Sequence, residues 1–143
     1  MNNPITEHIK NHRSIRRFED RPLPKGLVED LVTCGQSAST SSNLQAYSVI
    51  EVSDPKRKKA LAELCADQVQ IHQSPTFLVF CADLNRDRLA GQLHGVENFD
   101  TDYVEALLIA TVDAALVLQN VALAAESHGL GTVSYTHLRA HET

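Results

Sequence analysis

The chain has 143 residues, 43% of them hydrophobic and 22% charged, with a formal net charge of -5. That is enough for one domain with a core of its own, and the acidic balance argues against a nucleic-acid binder, which needs clustered Lys and Arg facing phosphates. The cysteines Cys34, Cys65 and Cys81 are odd in number and far apart, so neither a disulfide framework nor a zinc site is indicated; reduced thiols in the cytoplasm are expected.

Met1 to Glu7 shows no cationic segment followed by an apolar one, so no signal peptide is expected. Asn3 before Pro4 marks a helix start, with Ile5 and Ile9 on one face and an end near Asn11. His12 to Phe18, His-Arg-Ser-Ile-Arg-Arg-Phe, then brings an imidazole, a hydroxyl and guanidinium groups into one short stretch. It suits a phosphate-binding loop, because Arg13 and Arg16 each offer a planar fork of donors and Ser14 adds a hydroxyl. Taken alone, the motif reads equally well as a solvated basic loop. After Pro22 and Pro24, the residues Leu27, Leu31 and Cys34 recur at helical spacing up to about Ser37, and the polar run Ser37 to Asn43 follows.

Tyr47 to Val52 is apolar and β-branched enough to be a strand, and Asp54 can cap a helix beginning at Pro55 that turns Leu61 and Leu64 inward. The basic run Lys56 to Lys59 sits early in that helix as a solvated face. Thr76 to Ala82 is a continuous apolar run and predicts a buried central strand covered on both faces. Leu84 to Thr101 has no clear period and is expected to be a long loop. Asp102 with Glu105 resembles a capping box, opening a helix from Tyr103 to about Ser127 whose apolar residues surround most of the wheel. Its length would suffice for a membrane, but Glu105, Asp113, Gln119 and Asn120 interrupt it too often, so no membrane span is expected. His128-Gly129 supplies the stop.

Three stretches carry a resemblance: His12-Arg13-Ser14-Ile15-Arg16, then Ala38-Ser39-Thr40-Ser41-Ser42-Asn43-Leu44-Gln45, then Ala124-Ala125-Glu126-Ser127-His128-Gly129-Leu130-Gly131. Together, in this order and spacing, they resemble the FMN-dependent nitroreductase family, in its oxygen-insensitive, NADPH-dependent nitroreductase and flavin reductase branch. The resemblance implies an α+β fold with a central sheet flanked by helices and a homodimer with FMN in clefts at the subunit interface, to which the long helix would belong. Carried over, it places His12, Arg13, Ser14 and Arg16 on the FMN phosphate, ribityl chain and ring edge. Thr40, Ser41 and Gln45 would contact the flavin from the second stretch, and Gln68, with Gln70 as a rival, would lie near its pyrimidine side. The implied chemistry is a ping-pong passage of a hydride from NADPH or NADH through flavin to nitroaromatics, quinones, flavins or other flat acceptors. The flavin does the chemistry, so no protein acid, nucleophile or metal is demanded. A non-catalytic flavin-binding or dimerising module is the alternative.

The resemblance runs from the start of the chain to about Thr132. Residues 1–132 are therefore expected to be the N-terminal part of such a domain, with its C-terminal part missing. Val133 to Thr143 coincide with one reading frame of a transposase adaptor used in sequencing libraries, so an adaptor-derived tail is expected there. His137 and His141 within it do not form a His-Glu-x-x-His metal motif with Glu142. A chain lacking the later strands would be unstable and would bind FMN weakly or not at all.

Overall fold

Two helices open on prolines where the sequence places them. In the computed structural model, which describes residues 3–96 and 100–135, α1 spans Pro4–Lys10 and the Asn3 side chain accepts from the backbone N–H groups of Ile5 and Thr6. Helix α3 spans Pro55–Leu64, and the Asp54 side chain accepts from the Arg57 N–H. In both, proline fixes the first helical φ where its missing N–H costs nothing. Between them lie α2, Leu27–Gln36, a 3-10 turn at Ser41–Asn43, and the strand β1, Tyr47–Glu51. A short helix α4, Val69–Gln73, leads to the strand β2, Leu78–Ala82, followed by α5, Leu84–Leu93, and α6, Val104–Ser127.

The two strands pair antiparallel, with Tyr47 opposite Ala82, Val49 opposite Phe80 and Glu51 opposite Leu78. Helix α6 lies across them and α2 lies beside α6. Leu31, Val121 and Ala125 form one buried cluster, and Tyr47, Ala114 and Val117 form another; Phe80 packs against both. A third cluster, Ala62, Cys65 and Ile71, holds α3 to α4. Gly35 lets α2 approach closely, since a Cβ there would stand 2.6 Å from a Val121 methyl.

Five expectations are corrected. The run at Thr76–Ala82 forms a strand from Leu78, but it is not a buried central strand: it is one of two strands among the described residues, with Leu78 to Cys81 only half-buried and Ala82 exposed. The expected loop over Leu84–Thr101 contains α5, whose cap is Asp83, accepting from the Arg86 N–H at 3.1 Å. Its few apolar residues form no stripe, so periodicity could not reveal a helix that starts from a capping bond. The capping box at Asp102 and Glu105 does not form: Tyr103 occupies the N-cap position without a side-chain bond, and the Asp102 N–H donates to Asp100 Oδ1 at 2.9 Å. In α3 the buried residue is Ala62, followed by the buried C-cap Cys65, while Leu61 and Leu64 are half-buried. Within its basic run, Lys58 does not simply face solvent, because its Nζ donates to the Ser74 carbonyl at 2.7 Å.

Gly129 ends α6 with φ 74, the left-handed conformation expected of it. Helix α6 is long and apolar enough to cross a membrane by length and composition, yet Ala106, Ala110, Asp113, Ala114, Val117 and Val121 on it are buried within the domain. His137 and His141 lie outside the described residues.

Candidate functional site

The loop after α1 is fastened to the C-terminal end of α6. His8 Nε2 lies 2.9 Å from the Leu123 carbonyl, and His12 Nδ1 lies 2.6 Å from Glu126 Oε1. One step on, the Ile15 N–H donates to the Thr132 carbonyl at 2.8 Å, and Ser14 forms a parallel bridge with Thr132. A Cβ at Gly131 would fall 2.7 Å from that of Ile15, so glycine is what allows the two segments to meet. Ile15 is thereby half-buried, whereas Arg13, Ser14 and Arg16 remain exposed. Neither arginine is paired with a carboxylate among the described residues. A rigid backbone carrying free guanidinium forks and a hydroxyl is a competent anion-binding edge.

The second stretch sits near the middle of α6. Asp113 is 1% exposed; one of its oxygens accepts from the Ser41 N–H at 3.0 Å and the other from the Ala46 N–H at 3.3 Å. From α5, Arg86 Nη1 donates to the Gln45 carbonyl at 3.2 Å and the Tyr47 carbonyl at 3.1 Å. Between these anchors Ser42, Asn43 and Gln45 have φ values of 50, 56 and 55. Gln45 Nε2 donates to Asn43 Oδ1 at 3.4 Å. Thr40 and Gln45 are half-buried and Ser41 is exposed. Neither Asp113 nor Arg86 was singled out from sequence as a site residue. The available signal was a carboxyl at the middle of an otherwise Ala-, Leu- and Val-rich helix.

Glu126 and Asp113, which hold the two loops, are separated by about 20 Å along the α6 axis. Both loops thus hang from one helix as separate anchor points. Gln68 belongs to a different neighbourhood. It is the N-cap residue of α4, and its Oε1 accepts from Gln70 Nε2 at 2.6 Å. The same Nε2 lies 2.6 Å from the Tyr135 hydroxyl, so Gln70 is committed to local structure.

A cavity of about 600 Å³ opens between β2, α6 and the segment from Gly129 to Tyr135, lined by Leu31, Ile71, Phe77, Val121 and Leu130 among others. None of His12, Arg13, Ser14, Arg16, Thr40, Ser41, Gln45 and Gln68 lines it. The cavity is largely apolar and adjoins the core clusters; of the polar residues weighed for the flavin, only the rival Gln70 borders it.

Electrostatics are unusual where α5 begins. The Ser48 hydroxyl donates to Asp83 Oδ2 at 2.5 Å. That bond, aided by the Arg86 N–H, holds the Asp83 carboxyl below its ordinary range. Burial pushes Asp87 up, against the pull of Arg86 and with a push from Asp83 and Asp113. Burial also raises the Cys65 thiol.

Comparison with known proteins returns one consistent group. A family model described as "Nitroreductase family" matches residues 9–142. The FMN reductase (NADPH) of Bacillus subtilis is 45% identical over 132 residues, covering 92% of this chain and 53% of that protein. The FMN reductase [NAD(P)H] of the same organism is 39% identical over 140 residues, covering 97% of this chain and 56% of that protein. Among solved structures, NfrA2 of B. megaterium superposes with a TM-score of 0.87 at 40% identity, covering 92% of this chain and 53% of that one. The NADPH:FMN oxidoreductase of Vibrio harveyi complexed with NAD+ gives 0.82 at 36% identity, covering 90% and 54%. The chain spans about half the length of the curated relatives it matches.

Proposed function

The chain belongs to the nitroreductase family, and on that premise we propose that it carries the phosphate-facing part of an FMN-dependent NAD(P)H oxidoreductase. The observation that carries this reading is the loop at Arg13, Ser14 and Arg16, held to Thr132 by its backbone, with exposed guanidinium groups that pair with no carboxylate among the described residues. The chemistry of that donor set fits FMN, whose phosphate needs forks of charged donors and whose hydroxylated chain and ring edge need hydroxyl and amide partners. Arg13 and Arg16 bind the phosphate; Ser14 and His12 border it, with Glu126 fixing the imidazole. Thr40, Ser41 and Gln45 meet the flavin from the second loop, and Gln68 faces its pyrimidine side.

Bound FMN supplies the redox chemistry, taking a hydride from NADPH or NADH and giving it to a nitroaromatic, quinone, flavin or similar flat acceptor by ping-pong exchange. The names of the Bacillus subtilis relatives support the nicotinamide and flavin parts of this reading. It includes a homodimer in the cytoplasm. It also takes residues 1–132 as the N-terminal part of the domain and 133–143 as adaptor-derived. An independent DNA read of the source locus across the Thr132 codon, from a library without that adaptor, tests the last point.

The phosphate claim is tested by titrating the chain with FMN and with riboflavin and following flavin fluorescence. FMN should bind more tightly, and Arg16→Ala should remove about 1.5–3 kcal/mol of that preference, the worth of a hydrogen bond to a charged group. Equal binding of the two flavins overturns the reading. FMN-dependent NADPH oxidation then separates an oxidoreductase from a flavin-binding module, which would turn yellow and stay inert.

A further inference from the structure

A carboxyl group as buried as Asp113 is costly unless both of its oxygens find donors. Its neighbours along α6, Ala110, Ala114 and Val117, are buried apolar residues, so a leucine would suit the core better. Both oxygens are instead spent on backbone N–H groups at the two ends of one short segment, Ser41 and Ala46. Arg86 spends one nitrogen on two carbonyls of the same stretch, those of Gln45 and Tyr47. An acceptor from α6 thus takes the segment's N–H groups while a donor from α5 takes its carbonyls. Between them Ser42, Asn43 and Gln45 hold left-handed backbone that no glycine relieves.

We infer that Asp113 and Arg86 are positioning residues, a two-sided clasp that imposes the left-handed course of the 41–47 segment and so presents Ser41 and Gln45 to the flavin. Neither touches the cofactor. The clasp itself is independent of the FMN assignment; what it positions rests on the proposed function.

Amide hydrogen exchange on the 143-residue chain without flavin tests the clasp directly. Asp113→Asn keeps the shape but turns one acceptor oxygen into a donor, so it cannot receive both amides. Exchange at Ser41 and Ala46 should accelerate about tenfold, the loss expected for one such bond, while amides of α6 and both strands stay protected. Arg86→Ala, at an exposed position that leaves the core intact, should loosen the same segment, because it removes the one nitrogen that both carbonyls share. Asp113→Leu leaves the Ser41 and Ala46 N–H groups without acceptors, so its melting temperature should fall, whereas Arg86→Ala should keep the melting temperature and lower FMN affinity about tenfold, a split that a purely structural role would not give. Unchanged exchange at residues 41 and 46, or protection lost evenly along the chain, overturns the clasp. Locally faster exchange with unaltered FMN affinity overturns its positioning role. Equal affinity of the unsubstituted chain for FMN and riboflavin rejects the proposed function instead, and the exchange data still decide the clasp.

Discussion

Asp83 serves two partners at once. One carboxyl oxygen accepts from the Ser48 hydroxyl on β1 and the other from the Arg86 N–H in the first turn of α5. Both bonds favour the ionised form, which is why its pKa lies below the ordinary value. A depressed folded-state pKa contributes stability that is present above the unfolded-state pKa, about 4, and is lost as pH falls through the folded value. Asp83→Ala should therefore cost about 1 kcal/mol near neutral pH, the usual worth of an N-cap, and progressively less below pH ~4. Asp87 has the opposite sign. Its pKa is raised chiefly by burial, so its charged form weighs against the fold once pH exceeds the ordinary carboxylate value. Asp87→Asn should raise the melting temperature at neutral pH and have little effect at the acid end. Thermal melts of both variants from acid to neutral pH check the pair, and parallel pH curves for the two would sink the assignment.

At the scale of elements, α2 packs against α6 through Gly35. Gly35→Ala would place a methyl 2.6 Å from Val121 Cγ2 and 3.2 Å from Val117 Cγ1. Overpacking of this kind costs about 1–3 kcal/mol and outweighs the ~1 kcal/mol that alanine gains over glycine in helix propensity. Urea denaturation should show a lowered midpoint at unchanged slope, and Val121→Ala in the same chain should recover part of the loss, because the two sites share one contact. Strict additivity would disprove the clash. These elements also show what could be read from the chain. Helices α1 and α3 were legible because Asn3-Pro4 and Asp54-Pro55 write their starts into adjacent residues. Helix α5 was not, since its start depends on Asp83 and its apolar residues make no stripe. The exposed arginine loop could be picked out from residue types alone. Asp113 and Arg86 could not, because their partners stand 72, 67, 41 and 39 residues away in the chain, where local periodicity carries no information.

The molecule as a whole leaves a continuous apolar stripe on the solvent side of α6. Val104, Leu108, Val112 and Leu116 follow one another at four-residue spacing, with Leu107 beside them, at exposures of 72%, 59%, 54%, 43% and 56%. The opposite side of the helix is buried in the domain, so α6 is apolar on two faces and only one is satisfied within the chain. A stripe of this extent on a water-facing helix marks an association surface, and in a homodimer a two-fold axis can lay the same stripe of each protomer against the other. The competing outcome is open-ended aggregation. Among the described residues each strand is paired along one edge only, which offers a second, non-closing contact. Sedimentation velocity distinguishes the two, since a closed dimer gives one species that stops growing with concentration while edge pairing gives a continuous distribution. The expected result is a dimer that Leu108→Glu converts to monomer, because a charge at the centre of the stripe would have to be desolvated twice across the axis. The circular dichroism of the variant should match that of the parent, as Leu108 is 59% exposed in the protomer and supports little within it. A parent chain that is monomeric at tens of micromolar, or a variant as dimeric as the parent, would move the interface away from α6.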